Sequence, residues 1–199
     1  DYGPDRLRLL IQVWQSLATG RPVTGEQVDR IVADIGTDRD EADQLLRGIS
    51  ERDADDNIVG IMGLSLNDHP HRVNVNGTWM SMWCAEDTLG LPAMLKQTVT
   101  VESESPLTKE KIRLTVSPDG IMASEPAGAV VSFRVVDPDM ASVASIWATL
   151  CHHSFFFASR EKAEQWATGR DDIEILSLDE GFELGQRFAA AFREGIEEL

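Results

Sequence analysis

The first fifty residues of this 199-residue chain carry apolar side chains at helical spacing in three short stretches. In the first stretch the apolar positions recur every three or four residues, which predicts a helix over Asp5–Thr19. Thr24 followed by Gln27 has the form of a capping box and predicts the start of a second helix. Asp38 followed by Glu41 repeats that form and predicts a third. The chain therefore opens with a helical module.

Two β segments follow the helices. They are predicted over residues 58–66 and 72–75, around the turn signal Asn67-Asp68-His69-Pro70, and should form a hairpin. Three short helices followed by a hairpin are typical of a winged-helix module, which we assign to residues 1–76.

From residue 77 onward, short β segments alternate with helical patterns. Strands are predicted over residues 98–102, 112–116, 129–136, 154–158 and 173–178, and helices over residues 87–96, 139–150, 160–168 and 179–199. The predicted fold class is therefore α+β, with a winged-helix-like helical module over residues 1–76 and a second domain over residues 77–199.

The charge of the chain restricts its partners. The formal net charge is −16, which should repel both nucleic acid and anionic membranes. In the predicted third helix, Arg39 and Arg47 are outnumbered by acidic residues, so DNA recognition is not expected. No run of about 18 apolar residues is present, and two cysteines outside any dense framework favour reduced thiols. We expect a soluble cytoplasmic protein.

Cys84 and Asp87 form the first candidate site. Cys84 ends an apolar stretch and begins a predicted helix, where unpaired backbone N–H groups should lower the thiol pKa. Asp87 follows three residues later and should therefore lie on the same helix face. The alternative is that Cys84 is a buried packing residue and Asp87 a helix-start charge.

Cys151 is the second candidate, and it is too distant in sequence from Cys84 for a compact Cys-x-x-Cys motif. If the fold brings the two together, two thiolates and the Asp87 carboxylate would suit a thiophilic metal. Cys151 can equally be a packing residue. His152 and His153 should point to opposite faces of a strand, so at most one could join it. A zinc site would also need His69 and His71, which lie in the other module.

Other site classes have no support in the sequence. There is no Gly-x-Ser-x-Gly motif of a serine hydrolase, and no glycine-rich phosphate loop. Serine-nucleophile and nucleotide-binding functions are therefore not expected.

Several motifs together resemble a known family. They are Trp83-Cys84-Ala85-Glu86-Asp87-Thr88-Leu89, Pro92-Ala93, Leu114-Thr115-Val116-Ser117-Pro118, Glu125-Pro126-Ala127-Gly128, Cys151 ahead of Phe156-Phe157-Ala158-Ser159, Leu184-Gly185-Gln186, and, near the amino terminus, Gly20-Arg21-Pro22-Val23 and Asp56-Asn57-Ile58-Val59-Gly60. The chain resembles the bacterial organomercurial lyases (alkylmercury lyase, MerB) over nearly its full length.

The resemblance implies a site, a fold and a reaction. The family's catalytic residues, two cysteines and an aspartate, fall on Cys84, Cys151 and Asp87, which would also be the mercury ligands. The second domain would be the catalytic domain, with small antiparallel sheets surrounded by helices. The departures are Glu86 in place of an apolar residue and His152 where a further cysteine can occur. Glu86 could shift the acidity of Asp87.

The implied reaction is protonolysis of a carbon–mercury bond. Two thiolates would hold mercury while Asp87 delivers a proton to carbon, giving a hydrocarbon and Hg(II). No organic cofactor is expected. The implied partners are an organomercury thiolate substrate, cellular low-molecular-weight thiols and a mercuric reductase that accepts Hg(II).

Two other functions use the same residues. A non-catalytic protein could sequester or deliver mercury, copper or zinc through the cysteines, although simple sequestration needs no acid at Asp87. A winged-helix regulator could sense metal through them, although the acidic charge opposes DNA binding. The sequence favours the lyase.

Overall fold

The computed structural model describes residues 3–135 and 149–197. Over these residues it has six α-helices and two antiparallel sheets, so the α+β class is confirmed. Among the described residues, no helix combines the length and apolarity needed to span a bilayer.

The three amino-terminal helices form where the sequence predicts them. They are α1 (Pro4–Leu17), α2 (Gly25–Ile35) and α3 (Arg39–Ile49). The capping box of α2 is complete, because the Thr24 hydroxyl accepts the Gln27 N–H and the Gln27 side chain accepts the Thr24 N–H. The Asp38 carboxylate caps α3 by accepting the N–H groups of residues 40 and 41. Local capping chemistry thus accounts for two of the three helix starts.

The larger sheet has eight strands, more than the small sheets implied by the resemblance. Its strands are β1 (Ser50–Arg52), β2 (Ile58–Ile61), β3 (Leu64–Ser65), β4 (His71–Val75), β5 (Thr78–Met82), β6 (Val99–Glu104), β7 (Lys111–Ser117) and β8 (Gly120–Glu125). The order across the sheet is β1-β2-β3-β5-β4-β6-β7-β8. Strands from both sides of the expected boundary at residue 76 lie in this one sheet, and the division into two domains stays a prediction.

The predicted hairpin around residues 67–70 is wrong. The segment over residues 58–66 instead folds back on itself, with Ile61 opposite Leu64 and the turn at Met62-Gly63. Both turn residues have positive φ, +50° and +84°, which the glycine accommodates without strain. β3 then pairs with β5, and β4 pairs with β5 and β6. The sequence prediction lacks β1, β5 and β8, and the residues of the two edge strands, β1 and β8, are mostly polar or exposed.

The smaller sheet is formed by three strands from residues 130–177. It consists of β9 (Val130–Arg134), β10 (Phe156–Phe157) and β11 (Ile173–Ser177), in the order β10-β9-β11. The remaining helices are α4 (Ala85–Leu95), α5 (Arg160–Ala167) and α6 (Leu178–Glu197), close to their predicted positions. The helix predicted over residues 139–150 lies mostly outside the described residues.

Helix α4 is held in place by an unusually close contact with α6. A Cβ on Gly90 would lie 3.0 Å from the Gly185 carbonyl oxygen, and one on Gly185 would lie 2.9 Å from the Gly90 amide nitrogen. The two helices therefore approach backbone to backbone at this point. Because α4 begins with the segment that contains Cys84 and Asp87, this packing also positions the candidate site.

Candidate active site

Cys84 is the N-cap residue of α4 and lies two residues after the end of β5. Its backbone is extended, with φ −139° and ψ 166°, and its Sγ accepts the Asp87 N–H at 3.4 Å. In return, the Asp87 carboxylate accepts the Cys84 N–H at 3.1 Å. The two residues thus form a capping box in which a thiol takes the usual place of a hydroxyl. The predicted placement of Asp87 beside Cys84 is confirmed.

Cys151 lies in a short 3₁₀ helix, Cys151–His153, so His152 and His153 are not part of a strand as expected. The opposite-face argument for the two histidines therefore does not apply, since it assumed strand geometry. The strand β10 begins only at Phe156.

Ser154 joins the Cys151 turn to the start of α4. Its carbonyl accepts the Ala85 N–H and its hydroxyl accepts the Glu86 N–H, both at 3.2 Å. Ser154 is buried, so these bonds satisfy two N–H groups of the first helical turn away from water. Sequence reasoning missed this residue. It links the two segments that carry the cysteines.

The fold brings the three predicted residues together. One ligand atom each from Cys84, Asp87 and Cys151 lies within 4.8 Å of the other two. The cysteines are free thiols that are 4% and 9% exposed, and Asp87 is partly buried. This is the single group of three or more potential metal ligands found in residues 3–135 and 149–197. Two soft sulfurs beside one carboxyl can bind a thiophilic metal and place an acid next to it.

The pKa of the Cys84 thiol is shifted in the direction opposite to that expected from the sequence. Burial, the adjacent Cys151 thiol and the nearby Asp87 charge raise the pKa of Cys84 well above its ordinary value. The helix start was expected to lower this pKa, but burial among potential anions outweighs the effect of the N–H groups. The free site therefore keeps the Cys84 thiol protonated, and metal binding must release that proton.

Two acids at the start of α4 are also shifted. Burial raises the pKa of Asp87, although hydrogen bonds from Cys84 act in the opposite direction. Burial, followed by repulsion from Asp87, raises the pKa of Glu86 to about 8. A desolvated, more basic Asp87 carboxylate is a better acceptor for a thiol proton, and its acid form persists at higher pH.

The histidines do not form a zinc site with the cysteines. His71 is fully buried in β4, where its Nδ1 lies 2.9 Å from the Ser103 hydroxyl, and burial lowers its pKa to about 3. His69 Nε2 lies 2.7 Å from a Glu51 carboxylate oxygen. None of the four histidines belongs to the metal-ligand group found in the described residues.

Gly63 is a further neighbour that sequence reasoning missed. It lies in the turn between β2 and β3, and its Cα faces the Asp87 carboxyl so closely that an added Cβ would lie 2.5 Å from the carboxyl carbon. The signal available in the sequence was a glycine within an apolar run, which is typical of a turn. The structure places that turn at Met62-Gly63. Its target, Asp87, is a long-range partner that no local pattern specifies.

The chain is similar in sequence to known alkylmercury lyases. The family model of the alkylmercury lyases, MerB, matches residues 64–190. An alkylmercury lyase of Staphylococcus epidermidis is 37% identical over 180 residues, covering 89% of this chain and 80% of that protein. One from Bacillus cereus is 35% identical over 182 residues, covering 90% and 80%, and one from Pseudomonas putida is 34% identical over 191 residues, covering 95% and 86%.

A solved structure shares the fold. It is described as the crystal structure of the mercury-bound form of MerB2, and it superposes with a TM-score of 0.79 at 24% identity, covering 94% of this chain and 91% of that one. The family match includes the segments that carry Cys84, Asp87 and Cys151. By sequence over most of its length, this chain belongs to the alkylmercury lyase family.

Proposed function

We propose that this chain is an organomercurial lyase in which Cys84 and Cys151 hold mercury and Asp87 delivers a proton to carbon. The observation that carries the proposal is the convergence of the two sulfurs and the carboxylate within 4.8 Å, although Cys151 is far from Cys84 and Asp87 in the chain. Family membership supports the reaction class, because the curated relatives are alkylmercury lyases.

The first step is an exchange of thiols. One cysteine thiol displaces the small thiol that carries R–Hg⁺, so that a sulfur–mercury bond forms, another breaks, and the cysteine proton leaves on the small thiol. The raised pKa of Cys84 makes this proton available in the free enzyme. Because the site starts without a full set of negative charges, substrate binding does not require three buried anions at once.

The second step uses the remaining thiol. Its proton passes to the Asp87 carboxylate, and the resulting thiolate adds to mercury. The added electron density weakens the mercury–carbon bond, whose electron pair goes to carbon as Asp87 returns the proton there. The products are the hydrocarbon, Hg(II) on two thiolates, and the original Asp87 carboxylate. Both thiol protons are thus accounted for, one on the small thiol and one on the hydrocarbon.

Hg(II) must then leave the two cysteines. We propose that cellular low-molecular-weight thiols remove it by exchange and that a mercuric reductase is the later acceptor. This scheme needs no organic cofactor, and reduced thiols suit a cytoplasmic setting. The biological role would be mercury detoxification.

The amino-terminal helices, which we propose to be winged-helix-like, cover the catalytic part and do not bind DNA. The arginines of α3 supply a reason. Arg39 lies 2.6 Å from Asp29, and Arg47 lies 2.6 Å from Asp43 and 2.8 Å from Asp56. These guanidinium groups are paired with acids of the chain itself, so little positive charge remains for phosphates.

A direct assay tests the lyase proposal. The protein is incubated with a phenylmercury thiolate and excess thiol, and benzene is measured by gas chromatography beside protein-bound Hg(II). Stoichiometric or catalytic benzene release is expected. The matched control is the Cys84→Ser/Cys151→Ser double variant, which should release none. Tight binding of phenylmercury without release of benzene would show that the protein sequesters organomercury and is not a lyase.

A further inference from the structure

The turn between β2 and β3 presses against the acid of the site. Gly63 has φ +84°, and a Cβ built on it would lie 2.5 Å from the Asp87 carboxyl carbon and 2.6 and 2.8 Å from its two oxygens. Real Cβ atoms do not occur at such distances, so only a glycine permits this approach. The Gly63 carbonyl also accepts the Trp83 N–H at 2.8 Å, which ties the turn to the residue preceding Cys84.

The Asp87 carboxyl therefore lies next to two segments, the β2–β3 turn at Gly63 and the N-cap residue Cys84. The Cys84 N–H donates to one carboxylate oxygen at 3.1 Å. The Gly63 backbone lies so close to this carboxyl that no room remains for a side chain at position 63. The bond from the Cys84 N–H and the absence of a side chain at position 63 together permit a carboxyl position close to the two sulfurs, where the proton is needed.

We infer that Gly63 is a positioning residue for the proton donor, holding the Asp87 carboxyl toward Cys84 and Cys151. The inference rests on the proposed lyase function and extends it to the segment before the family match, which begins at residue 64. The collision between a methyl group at position 63 and the Asp87 carboxyl is most easily avoided if the carboxyl, which is the end of a short side chain, rotates away. That rotation would break the bond from the Cys84 N–H and move the acid from the metal.

The chain offers a matched control at Gly77. The turn Asn76-Gly77 has φ values of +51° and +87°, close to the +50° and +84° of Met62-Gly63. A Cβ on Gly77 would meet no atom within 4 Å. Gly77→Ala therefore imposes similar backbone strain without touching the site.

The main experiment compares wild type, Gly63→Ala and Gly77→Ala. Hg(II) binding is followed by the ultraviolet thiolate-to-mercury charge-transfer absorption, and benzene release from a phenylmercury thiolate is followed in a single turnover. We expect Gly63→Ala to bind one Hg(II) per chain but to release benzene about 10²-fold more slowly, the usual effect of misplacing a reacting group by about 1 Å. Gly77→Ala should match wild type. Equal benzene release rates in the two alanine variants would overturn the inference.

A double-variant comparison separates positioning from loss of folding. In an Asp87→Ala background no carboxyl remains to collide with, so adding Gly63→Ala should not slow the residual reaction further. With Asp87 intact, Gly63→Ala should lower the midpoint of thermal unfolding more than Gly77→Ala does. In the Asp87→Ala background this difference should vanish. A further rate loss, or an undiminished stability loss, in the double variant would show that Gly63 acts independently of Asp87. If wild type itself releases no benzene, the lyase proposal fails. If wild type is active and Gly63→Ala does not change its rate, only the inference about Gly63 fails.

Discussion

Cys84 and Asp87 cap each other at the start of α4: the Cys84 Sγ accepts the Asp87 N–H at 3.4 Å, and the Asp87 carboxylate accepts the Cys84 N–H at 3.1 Å. The same two side chains are the proposed metal ligand and proton donor. The Cys84 sulfur and the Asp87 carboxylate therefore serve both in capping the helix and in the proposed reaction. Substitutions at either position must be read with a measure of stability beside the measure of activity.

Replacing Asp87 should separate metal binding from bond cleavage. Asp87→Asn keeps an oxygen that can accept the Cys84 N–H but provides no carboxyl proton, so its stability should stay within about 1 kcal/mol of wild type. Hydrocarbon release should fall about 10²- to 10⁴-fold, the usual contribution of a positioned general acid. Mercury retention and benzene release are measured on the same sample. Full activity in Asp87→Asn and Asp87→Ala would reject Asp87 as the donor.

Replacing either cysteine by serine should abolish turnover, because a hydroxyl is a hard ligand that does not hold mercury as a thiolate does. Cys84→Ser should remain well folded, since serine is a favourable N-cap residue. Benzene release and the denaturant midpoint are the two measurements. If one variant kept near-wild-type release, that cysteine would be a packing residue and the two-thiolate scheme would be wrong.

Glu86 should make the protein less stable as the pH rises through the neutral range. Its pKa of about 8 in the folded chain lies above the ordinary 4.5, so the folded state holds a proton that the unfolded state has lost over this interval. Stability from this group is fully present below about pH 4.5 and is lost as the pH approaches about 8. Each unit of pKa difference corresponds to about 1.4 kcal/mol, reduced here because Glu86 keeps some exposure to solvent.

Glu86→Gln provides the matched comparison, since glutamine has a similar shape and no charge at any pH. Unfolding free energies from urea titrations at pH 5, 6.5 and 8 should decline less steeply in this variant than in wild type. The pH dependence that remains in Glu86→Gln combines Asp87, whose raised pKa acts in the same direction, with His71, whose lowered pKa makes the folded state more stable as the pH rises to about 6.5. Parallel pH profiles for the two proteins would contradict the shifted pKa of Glu86.

The helical module should not recognise DNA. At physiological salt we expect binding weaker than about 10⁻⁶ M and independent of sequence, because Arg39 and Arg47 are paired with acids of the chain. Fluorescence anisotropy with random and candidate operator duplexes measures this. Tight, sequence-dependent binding would instead favour a metal-sensing regulator.

Local patterns in the sequence were sufficient for the amino-terminal helices and for two of the three site residues. The capping box at Thr24 and Gln27, and the proximity of Cys84 to Asp87, depend on backbone groups three residues apart, so the sequence specifies them directly. The resemblance to alkylmercury lyases then supplied Cys151 as the partner. No periodic or capping pattern connects residue 151 to residue 84.

The tertiary structure decided the rest. Strand pairing depends on contacts between distant segments, which is why β3 pairs with β5 when a hairpin with β4 was predicted. The pKa of Cys84 rises because the fold buries it beside Cys151 and Asp87, an effect that outweighs the local influence of the helix start. Gly63 meets Asp87 only because the β2–β3 turn is folded over the start of α4. Local hydrogen bonds are determined by neighbouring residues in the sequence, whereas burial and long-range contacts exist only once the chain has folded.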